Sequence, residues 1–131
     1  HHSFVGEYRA QIGAAAEALV VTRLLVHGHT PLAPRVIEPF DIAVLTDKRR
    51  FRKLQVKSST YTNRTGHYEF NSRRGDGTLY AKSDVDYFVA VAMDIEMCWV
   101  IPLRKISVKK INIHPEKTNK WSRYLERFEL H

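Results

Sequence analysis

The fold is decided by residues 41–58, DIAVLTDKRRFRKLQVKS. Apolar and β-branched residues dominate both ends of this stretch, which predicts one strand over Asp41–Leu45 and a second over Phe51–Ser58. The intervening Thr46–Arg50 is polar and charged, as expected of a turn. The stretch therefore predicts a β-hairpin.

The second strand of this hairpin carries an alternating pattern. Side chains on a strand point to opposite faces in turn, so Lys53, Gln55 and Lys57 share one face while Leu54 and Val56 share the other. Folding the hairpin about a turn near Lys48 brings the start of the first strand level with the end of the second. We therefore expect Asp41 to approach Gln55 and Lys57.

A helix precedes the hairpin. Residues 6–27 contain no proline and are rich in alanine, leucine and valine, and Gly28 follows at a natural C-cap position. Glu17 lies among apolar neighbours on this predicted helix, where an unpaired carboxylate is costly. Its expected partner is a metal ion or Lys57; a structural pairing with Arg23 or Arg52 is the alternative.

The remaining pattern completes an α/β domain over residues 3–131, with His1 and His2 interpreted as a tag remnant. Residues 68–70 predict a short strand, residues 71–77 a basic loop, and residues 87–93 and 97–101 a second hairpin. A short amphipathic stretch surrounds Trp121 near the C-terminus. We expect a central mixed sheet flanked by the first helix and this C-terminal segment.

Composition narrows the function. The chain has 21 Lys and Arg against 14 Asp and Glu, a net charge of +7. This surplus favours a polyanion such as nucleic acid, although a basic protein without such a partner is equally compatible with charge alone. Cys98 is the single cysteine, which excludes an intrachain disulfide. The five histidines beyond the presumed tag lack the paired spacing of a zinc site, and no apolar segment is long enough for a membrane span.

The cluster predicted around Asp41 suits phosphodiester hydrolysis. A carboxylate and an amide oxygen, here from Asp41 and Gln55, are hard ligands that can hold Mg²⁺. The ammonium of Lys57 can orient a nucleophile or offset charge on the phosphate. Glu17 would complete the site if its side chain extends from the helix toward the hairpin.

These motifs together resemble the PD-(D/E)xK nuclease superfamily, whose core runs α-β-β-β-α-β. Glutamine at position 55, the phrase Asp84-Val85-Asp86-Tyr87-Phe88 and the C-terminal stretch 121–130 are similar to the group I intron homing endonuclease branch. The resemblance implies a restriction-endonuclease-like fold and cleavage of DNA with Mg²⁺ or Mn²⁺. It implies metal ligation by Asp41, Gln55, the Val56 carbonyl and Glu17, with Lys57 serving the attacking water.

Further expectations concern DNA and assembly. The small polar residues after the catalytic strand, Ser58, Ser59 and Thr60, and the loop residues Arg73 and Arg74 are predicted to contact DNA, double-stranded or branched. A domain of this size reaches only a short part of a duplex, which favours a homo-oligomer, either a dimer or a tetramer. A protein that acts on DNA in this way is expected in the cytoplasm, associated with the nucleoid. The alternatives are a Holliday-junction resolvase and a DNA-binding relative that no longer cuts.

Overall fold

One α-helix and seven β-strands form the regular structure of residues 2–60, 62 and 64–131, which the computed structural model describes. The helix, α1, spans His2–Val26. The strands are β1 Thr30–Leu32, β2 Ile42–Leu45, β3 Phe51–Ser59, β4 Tyr68–Asn71, β5 Tyr87–Ala92, β6 Met97–Pro102 and β7 Lys110–Ile113. Two single turns of 3-10 helix lie at Leu103–Lys105 and Ser122–Tyr124.

Five of the strands form a central sheet in the order β1-β2-β3-β5-β6. The β3–β5 pair is parallel and the other pairs are antiparallel, so the sheet is mixed, as predicted. Both predicted hairpins are confirmed, as β2–β3 and β5–β6. The parallel pairing requires a crossover, and that crossover contains β4, which pairs with β7 in a separate two-stranded ribbon.

The helix covers one face of the central sheet. Ala16, Val20 and Leu24 recur at helical spacing and are fully buried, in one cluster with Leu54 and Val56 of β3. The helix ends as predicted: Gly28 adopts a φ of 83°, and the amide of the residue after it donates to the Leu24 carbonyl at 3.0 Å. The helix begins at His2 rather than Gly6.

The β4–β7 ribbon covers the other face. Its buried side chains share a second apolar cluster with strands β5 and β6: Tyr68, Phe70, Phe88, Ala90, Ala92, Trp99, Ile101, Ile111, Ile113 and Trp121. Strands β5 and β6 are therefore buried on both faces, which explains their nearly continuous apolar sequence. The expectation that Trp99 and Trp121 belong to the core is confirmed, since they are 2% and 4% exposed.

Three features differ from the sequence-based expectations. The resemblance implies a second helix, but residues 72–86 form turns without a helix among the described residues. Strands β1 and β7 were not predicted. The C-terminal stretch contains one 3-10 turn and a single β-bridge, at Leu125, and it divides between the two clusters: Trp121 packs on the ribbon side, whereas Phe128 and Leu130 pack on the helix side.

No helix in the part of the chain that the structure describes has the length and apolar character needed to cross a bilayer.

Candidate active site

Asp41 lies where β2 and β3 begin to separate. The last pair in the β2–β3 register is Ile42 with Leu54, and Asp41 is the residue just before this pair. Its backbone amide donates to the Leu54 carbonyl at 2.8 Å, and its carboxylate oxygen Oδ2 accepts the Val56 amide, also at 2.8 Å. These two bonds fix the carboxylate at the mouth of the hairpin.

Burial raises the pKa of Asp41 above its ordinary value, because desolvation penalises the charged form. The Val56 amide and the charge of Lys57 act in the opposite direction. Lys57 is therefore close enough to stabilise the Asp41 carboxylate, although within the described residues it forms no direct ion pair. Charge compensation at Asp41 is incomplete, and the site favours an additional positive charge.

Glu17 approaches the same carboxylate from the helix. Burial and then the negative charge of Asp41 raise its pKa. The structural partners considered for it are engaged elsewhere, since Arg23 pairs with Glu126 at 2.7 Å and Arg52 donates to the carbonyls of Phe51 and His131. Two acids of like charge thus converge in a partly desolvated place, and this arrangement is costly without a cation.

Gln55 and Lys57 point to the ribbon side of the central sheet. In the parallel register Gln55 lies beside Phe88 and Lys57 beside Ala90, both members of the second cluster. Gln55 is only 9% exposed, and no partner among residues 2–60, 62 and 64–131 hydrogen-bonds its side-chain amide. Its amide atoms retain contact with solvent, because they are not among the fully buried side-chain atoms without a partner in the described residues, and they can therefore receive a ligand.

The Val56 backbone points toward the gap between β2 and β3. The amide and carbonyl of one strand residue face the same neighbouring strand, and the Val56 amide faces Asp41. Its carbonyl therefore faces the β2 side, beyond the last residue pair of the β2–β3 ladder. This oxygen lies on the same side as the Asp41 carboxylate.

The predicted DNA-contacting residues fall into two places. Ser58 and Ser59 end β3, with Thr60 next to them; the Ser59 carbonyl accepts the amide of Met93 at 2.8 Å. In the loop after β4, the Nε of Arg73 is buried without a hydrogen-bond partner in the described structure. Arg74 lies 3.9 Å from Asp84.

Tyr80 is a neighbour of the site that the sequence did not reveal. Burial is the largest cause of its raised pKa; the charge of Asp41 raises it further, whereas Arg74 lowers it. The loop after β4 therefore brings Tyr80 within reach of the charges of Asp41 and Arg74. The available signal was weak: Gly75 and Gly77 mark a tight turn, and the amide of Gly77 donates to the Arg74 carbonyl at 2.8 Å.

The set of possible metal ligands is small. No group of three His, Cys, Asp or Glu side chains suited to a metal ion occurs in the portion of the chain described. A cation at the mouth of the hairpin would therefore depend on the two acids together with oxygens of Gln55 and the Val56 backbone.

Cys98 is excluded as a nucleophile, because burial raises the pKa of its thiol to about 12.

The mixed sheet with one helix packed on it, and the aspartate and lysine of its central hairpin, agree with the restriction-endonuclease-like nuclease class that the sequence resembles. Residues 8–130 match the family described as PD-(D/E)XK endonuclease, and the chain belongs to that family. A solved structure described as a bacterial homing endonuclease, I-Ssp6803I, is 26% identical and superimposes with a TM-score of 0.74. The match covers 88% of this chain and 84% of that one. No curated protein matches.

Proposed function

We propose that this protein is a metal-dependent DNA endonuclease of the homing-endonuclease type. One observation carries the proposal: the Val56 amide holds the Asp41 carboxylate at the mouth of the hairpin at 2.8 Å, where Asp41 raises the pKa of Glu17 and Lys57 lowers that of Asp41. The similarity to a bacterial homing endonuclease supports the assignment to DNA, and so does the net charge of +7.

The residues at this place fit a divalent metal ion, Mg²⁺ or Mn²⁺. Carboxylates of Asp41 and Glu17, the Gln55 amide oxygen and the Val56 carbonyl are hard oxygen ligands of the kind that such ions prefer. When bound, the ion supplies positive charge against the phosphate and lowers the pKa of a water molecule. It would also relieve the repulsion that raises the pKa of Glu17.

The remaining residues act on the substrate. The Lys57 ammonium holds the attacking water in line or offsets charge on the scissile phosphate, while Asp41 keeps its orientation through the Val56 amide. Ser58, Ser59 and Thr60, together with Arg73 and Arg74, contact phosphate oxygens along the strand that is cut. Tyr80, which lies within reach of the charge of Asp41, closes the site on the loop side.

Cleavage of supercoiled plasmid tests the proposal. The wild-type chain should cut with Mg²⁺ or Mn²⁺ and not with excess chelator, and Lys57→Ala should abolish cutting while retaining DNA binding in a gel-shift assay. Lys48→Ala, an exposed change in the hairpin turn, is the matched control and should cut normally. Undiminished cutting by Lys57→Ala would eliminate the mechanism.

A synthetic four-way junction, offered beside the plasmid, separates this function from junction resolution. Preference for the junction would favour a resolvase. Binding without metal-dependent cutting of either substrate would favour the non-catalytic alternative.

We further propose that the active form is a homo-oligomer, a dimer or tetramer. Exposed apolar side chains follow the edge strand β1: Leu32 is 45% exposed, Val36 69% and Ile37 fully exposed. Neighbouring exposed apolar residues of this kind are typical of protein interfaces. Light scattering of the wild type and of Ile37→Asp tests the proposal, because a monomeric wild type would exclude it and a monomeric variant would locate the interface.

A further inference from the structure

The outward face of the β4–β7 ribbon carries four polar side chains. Glu69 pairs with Asn112 and Asn71 with Lys110 in the antiparallel register, and all four residues are exposed. The inward face is apolar: Tyr68, Phe70, Ile111 and Ile113 are all at most 2% exposed. The ribbon is thus sharply two-sided, with a polar face toward solvent.

The ribbon is held rigidly. Its four inward side chains lie in the second apolar cluster of the sheet. At one end, the buried Ser72 closes the ribbon: its backbone amide donates to the Lys109 carbonyl at 2.9 Å, and its hydroxyl reaches the carbonyls of Val108 and Lys109. The outward residues are therefore presented on a fixed element, and fixed elements position recognition groups better than loops.

The outward side chains form few ion pairs or hydrogen bonds in the described structure. Glu69 and Lys110 are diagonal neighbours on one face, yet they form no ion pair in the described structure. Asn71 is partly engaged, because its Oδ1 accepts the amide of Arg73 at 3.0 Å. Within the same portion of the chain, the side chain of Asn112 has no hydrogen-bond partner.

The ribbon leads directly into the active site. Its Asn71 end continues into Arg73 and Arg74, and the same loop returns Tyr80 to the neighbourhood of Asp41. Basic residues adjoin the other strand, since six Lys or Arg occur in residues 104–120 against one acid. A duplex whose phosphate lies at Asp41 would thus meet a positively charged surface next to the ribbon.

We propose that the β4–β7 ribbon reads base edges in the major groove of the DNA, with Glu69, Lys110 and Asn112 as the specificity-determining residues. This inference rests on the proposed endonuclease function. The major groove admits a two-stranded ribbon, and there asparagine recognises adenine, lysine recognises guanine and glutamate accepts from cytosine. On one face of a strand, side chains two residues apart are separated by about 7 Å, which is close to the rise of two base pairs along DNA.

The competing interpretation is that the outward side chains of the β4–β7 ribbon are only solvent-exposed surface and have no role in base recognition. It predicts that these residues can be replaced without changing the bases that are preferred. Direct recognition predicts a loss confined to two or three adjacent positions, because each good contact discriminates about 5- to 150-fold between bases.

The test is cleavage of a duplex pool with randomised sequence, followed by sequencing of the cut ends. Lys110→Ala and Asn112→Ala should each flatten the preference at one or two positions by about 5-fold or more, while cutting of disfavoured sequences is retained. Lys109→Ala, which removes a charge beside the ribbon, should weaken cutting evenly at all sequences. Gln11→Ala and Lys48→Ala, exposed residues away from the ribbon, are the matched controls for the amide and the ammonium.

Asn112→Asp provides a positive readout. It replaces an adenine-reading amide by a group that accepts from cytosine, and should shift the preference at its position from adenine toward cytosine. Thermal unfolding of each variant checks that it folds.

The outcomes separate the two proposals. A wild-type chain that cuts with metal, together with ribbon variants whose preferences are unchanged, would overturn the ribbon assignment and leave the endonuclease intact. A wild-type chain that never cuts would overturn the endonuclease. Selection of bound duplexes with Lys57→Ala, with and without Asn112→Ala, then measures base preference without cleavage, and identical profiles would again overturn the ribbon assignment.

Discussion

Glu17→Gln should stabilise the metal-free protein and remove most of its response to Mg²⁺. Burial is the largest cause of the raised pKa of Glu17, and the negative charge of Asp41 raises it further. Glutamine keeps the size of the side chain and removes the charge. The change therefore removes both the desolvation cost of the charged Glu17 side chain and its repulsion by Asp41.

The magnitude follows from Coulomb repulsion and chain length. Two like charges a few ångströms apart repel by about 1 kcal/mol in water and by several times more in an interior, and solvent screening favours the lower figure here. Unfolding entropy near 2.1 cal/mol/K per residue gives about 0.28 kcal/mol/K for 131 residues. Relief of about 1 kcal/mol should therefore raise the Tm by about 4 °C.

Metal binding should largely cancel this difference in Tm. At Mg²⁺ ten times above the dissociation constant, binding stabilises the wild type by about 1.4 kcal/mol, or about 5 °C. Glu17→Gln should gain much less, because it lacks one negatively charged ligand.

Thermal unfolding with and without Mg²⁺, and with Ca²⁺ as a second cation, measures both effects. Glu116→Gln is the matched control, since Glu116 is exposed and lies outside the hairpin mouth. A metal-free Glu17→Gln that melts below the wild type, or one that keeps the full Mg²⁺ response, would refute the reasoning.

The effect should also depend on pH. Because folding raises the pKa of Glu17, the folded state binds a proton more readily than the unfolded chain, and stability falls as pH rises from the ordinary value of 4.5 through the folded value. The advantage of Glu17→Gln should thus be full at neutral pH and vanish below about pH 4. An advantage that persists in acid would show that it does not come from charge.

Two further predictions concern the C-terminal segment and the cysteine. Glu126→Ala should lower the free energy of unfolding in urea by about 2–3 kcal/mol, because the Glu126 carboxylate accepts hydrogen bonds from Arg23 Nε at 2.7 Å and from the Cys98 amide at 2.8 Å. The control Glu129→Ala, at an exposed residue nearby, should lower it by about 0.5 kcal/mol or less. Equal losses in the two variants would contradict this role of Glu126. The Cys98 thiol should resist Ellman's reagent at pH 8 until the protein unfolds, because burial raises its pKa to about 12; rapid labelling of the native chain would contradict its burial.

The central elements could be predicted because their patterns are local. The apolar stripe of α1 and the alternation around Gln55 follow from the side-chain periods of helix and strand. Gly28 identified the helix end, since only glycine adopts a φ of 83° at no steric cost. The β2–β3 pairing, which brings Asp41 to the Val56 amide, follows from the turn together with the apolar pattern of the two strands.

The missed elements depend on tertiary contacts. β1 contains Pro31, which argues against a strand but is tolerated at a sheet edge, where no second neighbour requires its amide. β7 alternates lysine, isoleucine and asparagine over only four residues, too few for a firm prediction, and it is fixed by pairing with β4. The resemblance supplied a second helix, but in this chain that crossover contains β4 and turns instead.

The residues of the candidate site also divide into those that the local sequence predicts and those that depend on tertiary contacts. Asp41, Gln55 and Lys57 occupy neighbouring positions in one hairpin, so their approach could be expected. The proximity of Tyr80 to Asp41 arises from the path of a long crossover, which no local pattern specifies. The sequence indicated that Glu17 needs a partner but left its identity open.

The parallel pairing of β3 with β5 has a consequence during synthesis of the chain. The strand with Gln55 and Lys57 gains its second neighbour only when residues 87–92 have left the ribosome, and the ribbon cannot close before residues 110–113 follow. We therefore expect nascent or truncated chains to be unable to cut DNA. With the proposed function, a cell would be exposed to cleavage by this protein only after translation has passed residue 113.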